Sequence, residues 1–238
     1  MKQAYQWNAY LAEALGTFLF FSIGIGAGYA VAAFLDPGAA PGSAIIVALA
    51  HGLALLVMVS AFGAISGGHF NPAVTFGLWI SGKIESVKAG GYVVAQLVGG
   101  FLAAALAWYI FHGFDGLDSA MAVPALNENL NLVQGIIVEA VITAVLLVAV
   151  FGTAVDGRGP KIGGIAIGLA LAAGILMAGG LTGGAVNPAR WFGPALFALQ
   201  WDNLLVWIIG PLLGAGIVAV VYRYLFLPEP DKQSSTGE

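Results

Sequence analysis

The chain has 238 residues, of which 60% are hydrophobic and 8% charged, whereas an ordinary soluble domain is roughly a quarter charged; such a composition suits lipid as the solvent. It holds no cysteine, which excludes a disulfide framework, a thiolate metal site and a cysteine nucleophile. The formal charge of -4, with no run of Lys or Arg, removes the basic footprint that a nucleic acid partner requires.

A bilayer core of about 30 Å is crossed by roughly 20 apolar residues in a helix, and several charge-free stretches are that long. In chain order, residues 14–35 read as the first span. Residues 37–82 are also uncharged but far longer than one crossing needs, so they hold a second span and something more. Residues 89–114 supply the third. The fourth runs from 140 to 155, extended back through Glu139 to about Leu132. Residues 162–189 again exceed a single crossing, and 203–222 supply the last span. The tail 227–238 is polar, carries two prolines and reads as a short disordered end.

Threading six spans places Lys2, Lys83, Lys88, Arg158, Lys161, Arg223 and Lys232 on one side. Asp36, Asp115, Asp118, Glu128 and Asp202 fall on the other. Cytoplasmic loops collect Lys and Arg, so both termini are expected in the cytoplasm. The exception is Arg190, which falls at membrane depth.

The two over-long stretches are copies of one another. An offset of 116 residues, which carries Asn71 onto Asn187, also lays Thr182-Gly183-Gly184 on Ser66-Gly67-Gly68 and Ile167-Gly168-Leu169-Ala170-Leu171 on His51-Gly52-Leu53-Ala54-Leu55. Glu13 and Glu139 correspond too, each with Thr four residues on. Three spans per half make the halves antiparallel, the inverted repeat that membrane transport proteins use to build a site at the midplane. The expected halves are 8–112 and 132–226 within one channel domain, 1–226.

Asn favours the N-cap and Pro the first helical position, so Asn71-Pro72-Ala73 and Asn187-Pro188-Ala189 each read as a helix start after a glycine-rich turn. From Asn71 to Ile80 there is room for about 15 Å of helix, half the bilayer core. Irregular backbone at membrane depth must be buried or line a wet cavity, so the loops 63–70 and 179–186 are expected to line a pore. Inverted symmetry then brings both Asn residues to the middle. Two helix N-termini, each equivalent to about half a positive charge, repel cations there. The two side-chain amides can donate to the oxygen of a passing molecule and interrupt a proton wire.

Ser66-Gly67-Gly68-His69-Phe70-Asn71-Pro72-Ala73-Val74-Thr75 and Asn187-Pro188-Ala189-Arg190 resemble the signature segments of the aquaporin, or major intrinsic protein, family, and the resemblance covers the whole chain. It implies an all-α membrane protein with six transmembrane helices plus two half-helices, a passive water channel excluding protons and ions, and a homotetramer with one pore per subunit. The family's outer constriction maps onto His51, Ile175, Gly184 and Arg190, which explains the exceptional charge. Orthodox water channels carry Phe and His at the first two of these places, so the set is more like that of plant tonoplast intrinsic proteins. With no side chain from Gly184 and no donor from Ile175, the opening is expected to be wider and more apolar. That ranks water first, ammonia second, and urea or peroxide below. Glycerol channels of the family carry Asp and a basic residue where this chain has Trp191 and Ala195.

Other readings stand beside these. His51 is a filter residue by resemblance, or a structural histidine bonded to a carbonyl. His69 lines the pore or braces its loop, and His112 receives no role. Glu13 and Glu139, costly at membrane depth, read either as a proton or ion path or, by resemblance, as acceptors for backbone donors of the half-helix loops. An ion-coupled secondary transporter is the rival function, along with a facilitator of ammonia, urea or glycerol with little water flow. A membrane enzyme would need a catalytic cluster, and none is evident; no cofactor and no metal site are expected. The partners are water, small neutral solutes and the lipid bilayer.

Overall fold

The computed structural model describes residues 2–35 and 40–228. Eight α-helices are found among them and no strand: α1 (Lys2–Phe34), α2 (Ala40–Ser66), α3 (Pro72–Ile80), α4 (Ser86–Phe111), α5 (Leu132–Val150), α6 (Gly163–Thr182), α7 (Pro188–Ala198) and α8 (Leu204–Val221). Six are long and apolar enough to cross a membrane, and α3 and α7 are the two half-helices. π-helical turns, Phe151–Val155 and Tyr222–Phe226, continue α5 and α8, with the rings of Phe151 and Tyr222 stacked 5.0 Å apart. Residues 36–39, together with 229–238 of the expected tail, lie outside the described residues.

Each half contributes three spans and one half-helix, and the half-helices are exchanged. α3 packs on α8 of the second half, while α7 packs on α4 of the first. The halves also meet where α2 crosses α6, at a pair of glycines that the repeat makes equivalent. A Cβ on Gly52 would lie 2.6 Å from the carbonyl oxygen of Gly168, and one on Gly168 would strike the carbonyl of Gly52 in return. With no hydrophobic drive between helices in lipid, such close approach of backbones supplies the dispersion contact that holds them.

Two boundaries depart from the sequence reading. α1 starts well before residue 14, because Glu13 is buried inside the bundle and does not mark the membrane edge. The loops at membrane depth are shorter than 63–70 and 179–186: α2 runs to Ser66 and α6 to Thr182, so only 67–70 and 183–186 of those two stretches are irregular. In lipid every carbonyl without a partner is costly, so a helix persists through small residues until a left-handed glycine ends it. Gly67 and Gly68 (φ 98° and 66°) do this in one half, Gly183 and Gly184 (φ 78° and 57°) in the other.

Candidate functional site

The local chemistry of the two short loops is duplicated almost atom for atom. Asn71 and Asn187 are extended N-caps, Pro72 and Pro188 fill the first helical position, and each Asn Oδ1 accepts from the backbone N–H two residues on. The acceptor distances are 2.8 Å from Ala73 and 2.9 Å from Ala189. With its oxygen committed to the cap, each side chain aims its NH2 outward. Asn71 Nδ2 donates to the carbonyl of Val186 at 3.1 Å, and Asn187 Nδ2 to that of Phe70 at 2.9 Å. Phe70 and Val186 reach those positions in the left-handed region, at φ 48° and 58°. The Asn side chains are thus tied across the molecular centre, each with one amide hydrogen left for a third partner.

The loops themselves hang from two buried carboxylates. Glu13 accepts from Ser66 Oγ at 2.6 Å and from the backbone N–H groups of His69 and Phe70 at 2.9 and 2.7 Å. Glu139 does the same for Thr182 Oγ1, Ala185 N and Val186 N at 2.6, 2.9 and 2.7 Å. Both are fully buried. A charged acceptor suits these N–H groups, which the turn leaves unpaired at a depth without water.

A cavity of about 290 Å³ leads to the Asn pair from one mouth. Lys83, Ala154 and Val155 line it, as do Val74, His69 and both Asn residues. His69 Nδ1 lies 3.1 Å from Thr75 Oγ1, which already accepts from Gln96 Nε2 at 3.0 Å. With Gln96 donating to Thr75 Oγ1, the Thr75 hydroxyl can donate to Nδ1, which leaves the proton on Nε2, on the side of the ring away from Thr75.

The candidate constriction residues meet as two contacting pairs. Arg190 Nε donates to His51 Nε2 at 3.1 Å, and His51 Nδ1 faces the carbonyl of Val47 at 2.9 Å. The imidazole is therefore neutral with its proton on Nδ1, and both ring nitrogens are engaged. Arg190 Nη1 donates at 2.7 Å to the carbonyl of Ala122, in the segment between α4 and α5. Among the described residues its Nη2 has no protein partner, so that group is available to a solute. Ile175 and Gly184 form the second pair: a Cβ on Gly184 would lie 3.1 Å from Ile175 Cα and 3.5 Å from its Cγ1. His112 stays apart, exposed and bonded to the carbonyl of Tyr109 in its own turn.

Three residues that the motifs do not reveal help to hold the site. Gln96 Nε2 donates to Glu13 Oε2 at 2.8 Å, and Tyr92 Oη to the carbonyl of Ser66 at 2.6 Å. Trp207 Nε1 does for the carbonyl of Thr182 what Tyr92 does for Ser66, at 2.9 Å. A polar pair one turn apart in an apolar span, Tyr92 and Gln96, is the signal that marks the first two. Among the described residues no cluster of His, Asp and Glu could hold a metal ion.

Residues 1–222 match the family model described as major intrinsic protein. A probable TIP-type aquaporin of Medicago truncatula is 40% identical over 97% of this chain and 92% of its own length. Aquaporin TIP2-3 of Zea mays is also 40% identical, over 92% of this chain and 88% of its own. Among solved structures, the aquaglyceroporin of Plasmodium falciparum superposes with a TM-score of 0.81, covering 92% of this chain and 96% of that one at 23% identity. At that identity it speaks for the fold alone.

Proposed function

The chain belongs to the major intrinsic protein family of membrane channels, so it is a multi-pass integral membrane protein and not an enzyme, and from that premise we propose that it passes water down its osmotic gradient while excluding protons and ions. The observation that carries this reading is the crossed pair of amides, Asn71 to Val186 and Asn187 to Phe70, at the end of a cavity open to one side. Each amide keeps one hydrogen directed at whatever occupies the centre. A water molecule there accepts from the pair and turns its own hydrogens away, which breaks a proton wire; the facing N-termini of α3 and α7 repel cations.

In this reading His51, Ile175, Gly184 and Arg190 form the selecting constriction. His51 is spent on Val47 and Arg190, so the guanidinium alone presents donors, beside a gap where Gly184 has no side chain. One donor face and one apolar face suit water first and ammonia next, with urea and peroxide behind. That relatives are named as TIP aquaporins agrees with the resemblance of this set to that of plant tonoplast intrinsic proteins. Glu13 and Glu139 are braces: their oxygens are occupied by loop donors, which leaves no carboxylate at membrane depth to bind a coupling ion and speaks against a secondary transporter. One channel domain over 1–226, cytoplasmic termini and a homotetramer complete the proposal. They rest on the distribution of basic residues and on kinship.

The test is osmotic shrinkage of reconstituted vesicles followed by stopped-flow light scattering, with proton leak read in parallel. Water flow well above that of empty vesicles without proton leak is the expected result. Flow equal to that of empty vesicles from folded protein would remove the water reading, and ammonia uptake would then separate a solute facilitator from a closed pore.

A further inference from the structure

Outside the pore, α8 carries a second recess, of about 660 Å³, whose lining is entirely apolar. Phe76 of α3 forms one wall, and Ile209, Leu213, Gly216, Ile217 and Val220 of α8 form the floor and the other. Ile209, Leu213, Ile217 and Val220 are between 42% and 56% exposed, and they repeat at helical spacing within the span Leu204–Phe226, so this face is turned toward the bilayer. The recess exists because Gly216 has no side chain: a Cβ there would lie 3.5 Å from Phe76 Cε1 and 3.9 Å from Ile80 Cδ1, ordinary contact distances.

One end of the recess is charged. Arg223 is exposed one turn beyond Val220, and its Nη1 donates to the carbonyl of Ile80 at 2.5 Å, the same residue whose side chain flanks Gly216. The connection after Ile80 and the end of α8 carry Lys83 and Arg223 against a single acid, Glu85. From Ile209 to Val220 the helix rises about 16 Å, which matches the hydrocarbon depth of one leaflet, roughly half of 30 Å.

We infer that this recess is a binding site for an anionic glycerophospholipid, with one acyl chain lying along α8 beside Phe76 and the phosphate at Arg223. The occupant follows from the place. An apolar groove at this depth is offered lipid chains, and the anionic headgroup at the membrane interface complements the guanidinium at its rim. Binding of a lipid here is independent of what the pore conducts.

The experiment is native mass spectrometry of the full chain released from vesicles of equimolar phosphatidylcholine and phosphatidylglycerol. The wild type is expected to retain phosphatidylglycerol in preference, by roughly fivefold for one basic contact. Arg223→Gln should abolish that preference and Arg223→Lys keep it, whereas Gly216→Leu, which fills the groove, should lose bound lipid of both kinds. Equal retention of the two lipids by the wild type would overturn the proposal. So would a preference that survives Arg223→Gln, or Gly216→Leu leaving retention intact while it splits the oligomer, which would put a second copy of the chain in the groove.

Discussion

The two halves of this molecule share one scaffold and differ at the pore wall. Around Glu13 and around Glu139 the three loop hydrogen bonds have the same lengths, pair by pair. Yet the residues that the repeat makes equivalent to His51 and Arg190 are Ile167 and Val74, and both line the cavity. The lesson is that burial of backbone at membrane depth dictates the same solution twice, because orphan N–H groups in lipid have few alternatives. Selectivity has no such constraint, and it needs only one barrier in series. In the proposed reading the constriction of His51 and Arg190 stands on one side of the Asn pair, and on the other lies a cavity whose wall carries Val74 and Ile167 at the equivalent places.

The largest effect should come from removing the braces. Glu13→Ala leaves the Ser66, His69, Phe70 and Gln96 donors without their acceptor, and Glu139→Ala leaves those of Thr182, Ala185 and Val186. At roughly 1–3 kcal/mol per orphaned donor, both variants lose several kcal/mol. Glu13→Ala should lower the unfolding temperature in detergent further than Glu139→Ala; the opposite order would show that Gln96 adds nothing to the first brace.

Next is the exchange of equivalents at the wall. Arg190→Val gives the constriction its counterpart's residue and frees His51, and urea permeability in vesicles should rise roughly tenfold, about 1.4 kcal/mol off the barrier. Val74→Arg should instead depress water flow by placing a charge in the vestibule. If neither swap moves either flux, the barrier lies at the Asn pair alone.

Smaller is Gln96→Leu, which removes the hold of α4 on Glu13. The hydrogen bonds to the Glu13 carboxyl and to Thr75 Oγ1 are lost, about 2–4 kcal/mol by thermal unfolding, with water flow unchanged. A fall in flow at full stability would mean that Gln96 acts on the pore through Thr75 and His69.

The smallest is a null result that a substitution turns into a signal. The chain has no cysteine, so mercury salts should leave wild-type permeability as it is. Val74→Cys, in the vestibule wall, should become reversibly blocked by mercury. Block of the wild type would contradict the cavity lining described above.

Much of the architecture could be read from the chain because it follows from length and from two residue types. An uncharged stretch of twenty residues has one way to cross lipid, and Asn-Pro after glycines starts a helix wherever it lies. The misread parts are instructive. Gly63 and Gly179 look like breakers in the sequence, yet α2 and α6 continue through them, because inside a bilayer the cost of an unpaired carbonyl outweighs the weak helix propensity of glycine. The left-handed Phe70 and Val186 carry no sequence mark, since the tertiary bonds from Glu13 and Glu139 hold them in a region that bulky residues otherwise avoid. Tyr92, Gln96 and Trp207 carry no motif because each acts on groups that belong to other helices.

By itself the sequence determined the six crossings, the duplicated half-helices and which residue types could reach the membrane interior, for these are set by local periodicity and by the price of charge in lipid. Only the tertiary structure decided that Arg190 rests on His51, 139 residues away, that each Asn amide finds the opposite half's carbonyl, and that Val74 and Ile167 come to line one cavity. Those pairings join groups far apart in the chain, and they form only when the close crossing of α2 and α6 at Gly52 and Gly168 has brought the two halves together.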